Sequence, residues 1–341
     1  MKRGPTMKDV AQAAGVSVMT VSRAFKEDAS VGGATREKIR ETADRLGYVF
    51  DMTAANLRTQ RSDFIAVTIP SLNNANFAET VVALTNTLSL EGYQVLLGHT
   101  NYDIEREEQL IRQFLRRRPE AIIVTGGHHT DKTRQLLANA GVPVIETWDN
   151  PIEPIGYVVG FSNADTMQLL VDHLVQQGRK RIAFMGGDSE SDTRGKDRRR
   201  GFQKAMASHE MKADRLVGSG APQRPMQKGA NAMINLLAQF PDTDAVICVS
   251  DLVGFGALSE CQRRGIIVPD QIAMAGFGAY HISEVCVPTL TTIDPKPTEI
   301  GEGAAELVLE LLRSPTIVKN KIITPVLKLA DSTATYRSKL F

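Results

Sequence analysis

The chain has 341 residues, 42% of them hydrophobic and 23% charged, and its net charge is +1. These values describe an ordinary globular protein with room for two or three compact units. No apolar run approaches the ~20 residues that cross a bilayer, and no signal-peptide segment follows Lys2 and Arg3. Cys248, Cys261 and Cys286 lack metal or redox spacing and are predicted to be buried thiols. The sequence therefore predicts a protein of the reducing cytoplasm with no membrane partner.

The first 61 residues are predicted to form a small basic head. They contain 11 lysines and arginines against 7 acidic residues, whereas the rest of the chain is slightly acidic. This asymmetry of charge indicates that the N-terminal head binds an anionic partner. The string "TMKD" at 6–9 has the spacing of a capping box, which predicts a first helix that ends at Gly15.

Two further short helices are predicted in the head. Ser17 can cap the second helix, from which Val21 and Phe25 would face inward. A third helix ends at Gly47, and its predicted buried face has apolar residues at i, i+4 and i+7: Ile39, Ala43 and Leu46. Helix, glycine turn, helix is the pattern of a helix-turn-helix DNA reader.

The second helix carries the residues predicted to contact DNA. In a helix-turn-helix this helix enters the major groove with its N-terminal residues against the bases. Val18 and Met19 can contact thymine methyls, and Arg23 has the fork geometry for guanine. Hydroxyl groups that can donate to phosphates belong to Ser17, Thr20 and Ser22. The alternative is a surface helix of an all-α capping domain.

From Phe64 the pattern changes to short β-rich runs that alternate with amphipathic helical stretches. One set runs from "FIAVTIP" to "YVVGFSN", and a second runs from a helix at 164–177 and "RIAFMGG" to "IAMAGFG". Such alternation predicts parallel sheets covered by helices, in two similar lobes with a cleft between them. Ligands bind beyond the carboxyl ends of strands in such sheets, so residues just after strands are candidate contacts.

Most of the chain resembles the lactose-repressor-type transcription regulators. The resemblance rests on "TMKDVAQAAGVSVMTVSRAF", "TREKIRETADRLGY", "VPVIE", "VSDLVGFGAL", "VPDQIAMAGF" and "PTLTTI". Within the family, "PSLNNANFAE", "VGFSN" and "ECQRRGIIVPDQIAMAGF" are most similar to gluconate-operon repressors. The resemblance implies an α/β protein with a helix-turn-helix head and a two-lobed body like that of periplasmic binding proteins. It adds Thr6 to the DNA-binding residues and implies no enzyme activity.

The resemblance also implies the domain boundaries. The head would be 1–49, a hinge 50–61, and the effector-binding and dimerisation domain 62–341, with lobes of about 62–160 plus 292–322 and about 161–291 plus 323–341. In the hinge, Leu57 matches a residue that wedges between central base pairs, and Ala54 lies on the same face. Asp51 departs from the family pattern, because its carboxylate would repel a phosphate unless it caps the hinge helix.

Several residues of the cleft are implied as effector contacts. Phe77 matches an aromatic residue that stacks on the ligand, Arg198 matches the main ligand arginine of the family, and Arg194 matches an arginine of the gluconate subgroup. The other implied contacts follow strands or precede a helix: Thr125, Trp148, Asp149, Arg224, Ser250 and Asp251. Alternatively, each arginine is a solvated surface charge, and Phe77 and Trp148 belong to the core.

One departure from the family pattern bears on the ligand. Gly278 stands where many sugar-binding relatives have an aspartate that accepts hydroxyl hydrogen bonds. Two arginines without that carboxylate favour an anionic ligand, because guanidinium binds carboxylate bidentately. We expect a sugar acid such as gluconate that releases the protein from operator DNA. A response to 2-ketogluconate, a phosphorylated sugar acid or a neutral sugar, or action with a co-repressor, stays open.

Other protein classes are disfavoured. A sugar-binding transport protein would need a secretion signal and no DNA-binding head, and a sugar kinase would need a phosphate loop or paired catalytic acids. His128 and His129 have no cysteine or acidic partner at metal spacing, so no metal or cofactor is expected. The final "TATYRSKLF" lacks the apolar heptads of tetrameric relatives, which predicts a homodimer on a palindromic double-stranded operator.

Overall fold

The computed structural model describes residues 4–25, 31–50, 62–314 and 319–334. The chain divides into two compact units, the first 61 residues and the remainder. The predicted fold class is confirmed, since helices at the N-terminus precede an α/β body with parallel sheets. Ala54 and Leu57 of the predicted hinge lie outside the described residues. The detailed domain and lobe boundaries stay predictions.

The head contains the helices α1 (Met7–Ala14), α2 (Val18–Ala24) and α3 (Gly33–Leu46). The predicted capping box starts α1, because the Thr6 N–H and hydroxyl donate to the Asp9 carboxylate at 2.7 and 2.6 Å. Gly15, with φ of 70°, ends α1 in the left-handed region that favours glycine. The Ser17 hydroxyl accepts from the Thr20 N–H at 3.1 Å and starts α2. Local sequence signals therefore set three of the helix ends.

The core of the head is small and apolar. Its fully buried side chains include Val10, Val21 and Ile39. Leu46 was predicted on the buried face of α3 but is 37% exposed. This prediction is wrong because Leu46 is the last residue of α3, directly before the Gly47 cap, where the helical period no longer determines burial.

The end of the described head is also packed. The rings of Phe25 and Phe50 stack with centroids 5.0 Å apart and planes 14° apart. Phe25 packs against the apolar core of the head, as its predicted inward orientation requires. Phe50, the first residue of the predicted hinge, therefore contacts the residue that caps the C-terminal end of α2.

The first lobe of the body is a parallel sheet covered by helices. Its strands, in the order β11-β5-β4-β3-β1-β2, are β1 (Phe64–Ile69), β2 (Gln94–His99), β3 (Ala121–Thr125), β4 (Val144–Thr147), β5 (Tyr157–Gly160) and β11 (Lys321–Ile322). The helices are α4 (Ala75–Ser89), α5 (Ile104–Leu115), α6 (Asp131–Ala138) and α12 (Pro297–Arg313). Near-continuous apolar strands such as "FIAVT" are buried because helices cover both faces of the sheet.

The second lobe repeats this architecture with a smaller sheet. Its strands, in the order β7-β6-β8-β9, are β6 (Ile182–Met185), β7 (Leu216–Val217), β8 (Ala245–Cys248) and β9 (Ala273–Ala275). The helices are α7 (Asn163–Gln176), α8 (Thr193–Ser208), α9 (Pro225–Gln239), α10 (Asp251–Arg263) and α11 (His281–Val285). An antiparallel pair, β10 (Thr292–Asp294) with β12 (Val326–Lys328), and a 3-10 helix at Asp331–Thr333 complete the described body.

The elements missing from the sequence prediction are α11, α12 and the strands β7, β10, β11 and β12. The missed strands have two or three residues, too few to show an alternating pattern. In α12, Gly301 and Gly303 lower the helical propensity. Gly301 serves packing, since a Cβ there would collide with the Thr80 carbonyl of α4. In the described parts of the chain, no helix is long and apolar enough to span a membrane.

Candidate functional site

The exposed face of α2 carries both apolar and cationic side chains. Val18 is 41% and Met19 65% exposed, and Ser17 and Arg23 are also exposed. The Thr20 hydroxyl is within 2.8 Å of the Ser17 hydroxyl. Exposed apolar side chains beside an arginine are available to a partner, as base contacts in a major groove require. DNA contact by these residues stays a prediction.

Two other predicted DNA contacts are less accessible. Ser22 is half-buried on α2. The Thr6 hydroxyl donates to Asp9 within the capping box, so it already has an acceptor. A hydroxyl that donates within the head can still accept from a partner, but it has no free proton to offer a phosphate.

A cavity of about 760 Å³ including its mouth lies between the two lobes, beyond the carboxyl ends of their strands. The first lobe lines it with rings and amides: Asn74, Asn76, Phe77, Tyr102 and Trp148. The second lobe contributes most of the charge, and its lining includes Asp192, Arg194, Arg198, Lys228, Ser250, Phe277 and Tyr280. The cavity therefore brings together the predicted contacts Phe77, Trp148, Arg194, Arg198 and Ser250.

Among the described residues, the hydrogen-bond partners of Arg198 are neutral groups. Its Nε donates to Asn163 Oδ1 at 3.0 Å and its Nη1 to the Val249 carbonyl at 2.9 Å. The guanidinium carbon lies 3.6 Å from the centroid of the Phe277 ring, a cation–π distance. Burial lowers the pKa of Arg198 to about 10, although the Asp192 carboxylate raises it. The side chain is therefore a fixed cation at neutral pH.

Arg194 is a buried cation without a counterion. Its residue is 7% exposed, and no hydrogen bond or ion pair joins it to any described residue. Its guanidinium carbon lies 5.4 Å from the centroid of the Phe77 ring, which belongs to the other lobe. A buried charge is costly unless it is paired, so the cavity favours an anion at this point.

Comparison with known proteins identifies the family. Residues 6–51 match bacterial regulatory proteins of the lacI family, and residues 171–333 match a periplasmic binding protein-like domain. The HTH-type transcriptional regulator GntR of Pseudomonas aeruginosa is 36% identical over 90% of this chain and 89% of its own. The GntR regulator of Escherichia coli K12 is 30% identical over 93% of this chain and 94% of its own. This chain belongs to the lacI family.

The structural comparison agrees over nearly the whole length. A LacI-family transcriptional regulator from Silicibacter pomeroyi is 30% identical, covers 97% of this chain and 100% of its own, and has a TM-score of 0.90. These relatives are transcriptional regulators rather than enzymes. The predicted class is therefore confirmed: the chain is a ligand-responsive transcriptional regulator of the lacI family.

In this lacI-family cavity a tyrosine occupies the space beside Gly278. Gly278 has φ of 129°, and a Cβ there would collide with the Tyr280 ring. The Tyr280 hydroxyl donates to Asn74 Oδ1 at 2.8 Å, and Asn76 Nδ2 donates to the Gly278 carbonyl at 3.0 Å. Two hydrogen bonds thus join the lobes beside position 278.

Asn163 is a site residue that sequence reasoning missed. It is 1% exposed, accepts from Arg198, and donates through Nδ2 to the Trp148 carbonyl at 3.0 Å. One amide thereby holds both Arg198 and the aromatic residue of the opposite wall. The sequence did contain a signal for Asn163. It is the first residue of α7 and lies three residues after the end of β5 at Gly160, where ligand contacts are expected.

Asp251 was predicted to contact the effector, but it does not line the cavity. It is fully buried, and its carboxylate accepts from the Thr292 hydroxyl at 2.6 Å and the Tyr280 N–H at 2.9 Å. Burial raises the pKa of Asp251 to about 7, despite these hydrogen bonds. Its role is to position the Tyr280 loop.

Three other predicted contacts also lie outside the cavity lining. The Thr125 hydroxyl donates to the Thr68 carbonyl at 2.8 Å, within the sheet of the first lobe. Arg224 is exposed and precedes α9 in a left-handed conformation, with φ of 54°. Asp149 lies in a second cavity, where its carboxylate accepts from the Gly127 and Asn150 N–H groups. Thr125 ends β3, Asp149 follows β4 and Arg224 precedes α9. Such a position does not fix where the side chain points, and effector contact by these three residues stays a prediction.

The second cavity also brings acidic groups to His128. Ligand atoms of His128, Asp149 and Asp197 lie within 4.8 Å of one another. Burial raises the pKa of Asp197, while Arg200, at 2.7 Å from its carboxylate, lowers it. Spacing along the chain could not reveal this cluster, because its carboxylates come from distant parts of the sequence.

Proposed function

We propose that this lacI-family regulator is a homodimer that represses transcription from a palindromic operator and is released by a sugar acid such as gluconate. The observation that supports an anionic effector is the buried Arg194 without a counterion. Gluconate is favoured among sugar acids by the resemblance to gluconate-operon repressors. The proposed activity requires access to chromosomal DNA and therefore the cytoplasm.

The charges of the cavity favour a carboxylate over a neutral sugar. Three cationic side chains, Arg194, Arg198 and Lys228, line it together with one carboxylate, that of Asp192. The Asp192 carboxylate already accepts from the Gly195 N–H at 3.1 Å, as the cap of α8. A neutral sugar would leave Arg194 desolvated and unpaired, whereas a carboxylate would form charge-assisted hydrogen bonds with it.

The remaining lining suits a chain of hydroxyl groups. Phenols at Tyr102 and Tyr280 and amides at Asn74 and Asn76 supply both donors and acceptors. The Phe77 and Phe277 rings cover the apolar faces of such a molecule. A polyhydroxy carboxylate matches this set better than a purely apolar acid does.

Control of DNA binding follows from contacts with both lobes. A ligand that contacts residues of both lobes stabilises the arrangement of the lobes in which both sets of contacts can form. It can shift the equilibrium only by its differential affinity for the two arrangements. We propose that the favoured arrangement disfavours joint seating of the two heads on their half-sites, so that operator affinity falls.

The test is operator release by purified protein. Operator DNA is selected from a random library by the wild-type protein, and release is followed by fluorescence anisotropy during titration with gluconate, 2-ketogluconate, 6-phosphogluconate and glucose. Arg198→Met should keep operator affinity and require at least about 100-fold more gluconate for release, because a buried charged contact is lost. Release of Arg198→Met at the wild-type gluconate concentration contradicts the assignment.

Two controls complete the experiment. Arg116→Met removes an exposed arginine at the end of α5 and should respond to gluconate as wild type does. Release by glucose alone, with no response to any acid, would contradict the anionic effector. Repeating the binding at two salt concentrations reports phosphate contacts, since the affinity of a DNA-binding head falls steeply with salt.

A further inference from the structure

Two hydrogen bonds connect the second lobe to the start of α4 in the first lobe. The Tyr280 hydroxyl donates to Asn74 Oδ1 at 2.8 Å, and Asn76 Nδ2 donates to the Gly278 carbonyl at 3.0 Å. Asn76 and Tyr280 are buried, and a hydrogen bond that is shielded from water is electrostatically stronger than an exposed one. Both bonds join protein groups, so their formation does not require an effector.

The loop that carries Tyr280 is fixed within the body. The Gly278 N–H donates to the Ile293 carbonyl at 2.8 Å, and the Tyr280 N–H donates to the buried Asp251 carboxylate at 2.9 Å. The hydroxyl and the N–H of Ser283 donate to the Tyr280 carbonyl at 2.7 and 2.8 Å. These bonds hold the phenol in position opposite the first lobe.

The acceptor in the first lobe belongs to a helix cap. Asn74 Oδ1 also accepts from the Asn76 N–H at 3.1 Å, so one amide oxygen both caps α4 and receives the phenol. The next residue of α4, Phe77, lines the cavity, and the guanidinium carbon of Arg194 lies 5.4 Å from its ring centroid. The start of α4 therefore carries the two interlobe hydrogen bonds and part of the cavity wall.

We propose that Tyr280 with Asn74, and Asn76 with Gly278, form an interlobe latch that favours the joined arrangement of the lobes before an effector binds. Tyr280 is then a positioning residue, because it acts through the arrangement of the lobes and not through contact with the effector. One neutral hydrogen bond shifts such an equilibrium by about fivefold. The inference goes beyond the proposed function, since any ligand that needs both lobes binds more tightly when they are already joined.

The test measures the distance between the lobes in the full-length protein. The native cysteines are buried, so Lys132→Cys in α6 and Asn235→Cys in α9, both at exposed positions, allow selective spin labelling. An excess of unlabelled protein keeps labelled chains apart in a dimer. Double electron–electron resonance without ligand should give one main distance for the otherwise wild-type protein. Tyr280→Phe should add a longer distance, with the ratio of joined to separated lobes lowered about fivefold.

Two comparisons show whether the effect belongs to the latch. Tyr102→Phe is the matched control, because Tyr102 also interacts with Asn74 but follows β2 in the first lobe, and it should leave the ligand-free distance unchanged. Saturating gluconate should restore the main distance in Tyr280→Phe, since contacts with both lobes replace the lost bond. The gluconate concentration required should rise by up to about fivefold.

The outcomes separate the latch from the proposed function. An unchanged ligand-free distance in Tyr280→Phe refutes the latch and leaves the sugar-acid effector standing. The same longer distance in Tyr102→Phe also refutes it, as does a failure of gluconate to restore Tyr280→Phe when gluconate binds wild type, because either result shows general loosening. If no sugar acid binds the wild-type protein, the proposed function fails, while the ligand-free comparison still decides the latch.

Discussion

The two lobes of the body bury charged side chains in opposite ways. In the first lobe, His129 lies between Glu107 and Glu146, with Nδ1 2.6 Å from one carboxylate and Nε2 3.6 Å from the other. In the second lobe, Arg194 has no carboxylate partner among the described residues, and Arg198 is held by an amide and a carbonyl. The buried histidine of the first lobe therefore has counterions within the described chain, whereas the two buried arginines of the second lobe have no ion pair there.

The protonation of His129 follows from its neighbours. Burial by itself lowers the pKa of His129, but the hydrogen bond to Glu107 and the negative charges of Glu107 and Glu146 outweigh burial and raise the pKa to about 9. The imidazolium joins α5, β4 and the loop before α6, since its partners lie on those elements. This cluster therefore stabilises the fold of the first lobe.

The difference separates a structural charge from a functional one. A buried cation that has its counterions within the chain contributes to folding, and its removal should destabilise the protein. A buried cation without them destabilises the free protein and is compensated when an anion binds. Three measurements test whether the two lobes differ in this way.

The largest expected effect is on the first lobe. His129→Gln should lower the free energy of unfolding by about 3–5 kcal/mol at pH 7, because two buried carboxylates lose their cation. Urea unfolding followed by circular dichroism measures the change. His281→Gln, at an exposed histidine that begins α11, is the matched control and should stay within about 0.5 kcal/mol of wild type. An equally small effect of His129→Gln would abolish the contrast between the lobes.

The next effect is that of replacing Arg194, which should weaken ligand binding and at the same time stabilise the ligand-free protein. Arg194→Met should weaken gluconate binding about 100-fold while it stabilises the ligand-free protein by about 1–2 kcal/mol, because an unpaired buried charge is replaced by an apolar chain. Calorimetry and urea unfolding measure the two quantities. Lys196→Met, at an exposed lysine of the same helix, should change neither by more than a small amount. Loss of stability in Arg194→Met would show that this arginine has a structural partner.

The smallest of the three effects is a dependence of stability on pH. The folded pKa of His129, about 9, lies above the ordinary value of 6.5, so its stabilisation is complete below pH 6.5 and lost as the pH rises through 9. The free-energy difference between wild type and His129→Gln should therefore shrink by about 2 kcal/mol between pH 6.5 and about 8.5. Urea unfolding at several pH values measures it. A difference that is constant with pH would mean that the imidazole is neutral throughout.

Local signals in the sequence predicted the head well. Thr6 with Asp9, Gly15 and Ser17 act within one turn of their own helix, so their roles can be inferred without tertiary structure. Leu46 was misplaced because a helical period does not show how far along a helix the buried face continues. The alternation of strands and helices likewise predicted the parallel sheets of the body, since it reflects a local period.

The cavity was only partly predictable. Resemblance to the family indicated Phe77, Arg194 and Arg198, all of which line it. Asp251 and Thr125 follow strands as well, but their side chains turn to Thr292 and Thr68 instead. Contacts such as Asn163 with Trp148, or Tyr280 with Asn74, join residues far apart in sequence, and no pattern in one sequence reveals such pairs.

The close approach of Tyr280 to Gly278 has an evolutionary consequence. An ancestor or a designer that restores a carboxylate at 278 must move or replace the tyrosine in the same step, because the two side chains compete for one volume. Loss of the tyrosine would also remove its hydrogen bond to Asn74. The two positions are therefore coupled, because a side chain at 278 requires the Tyr280 ring to move or to be replaced.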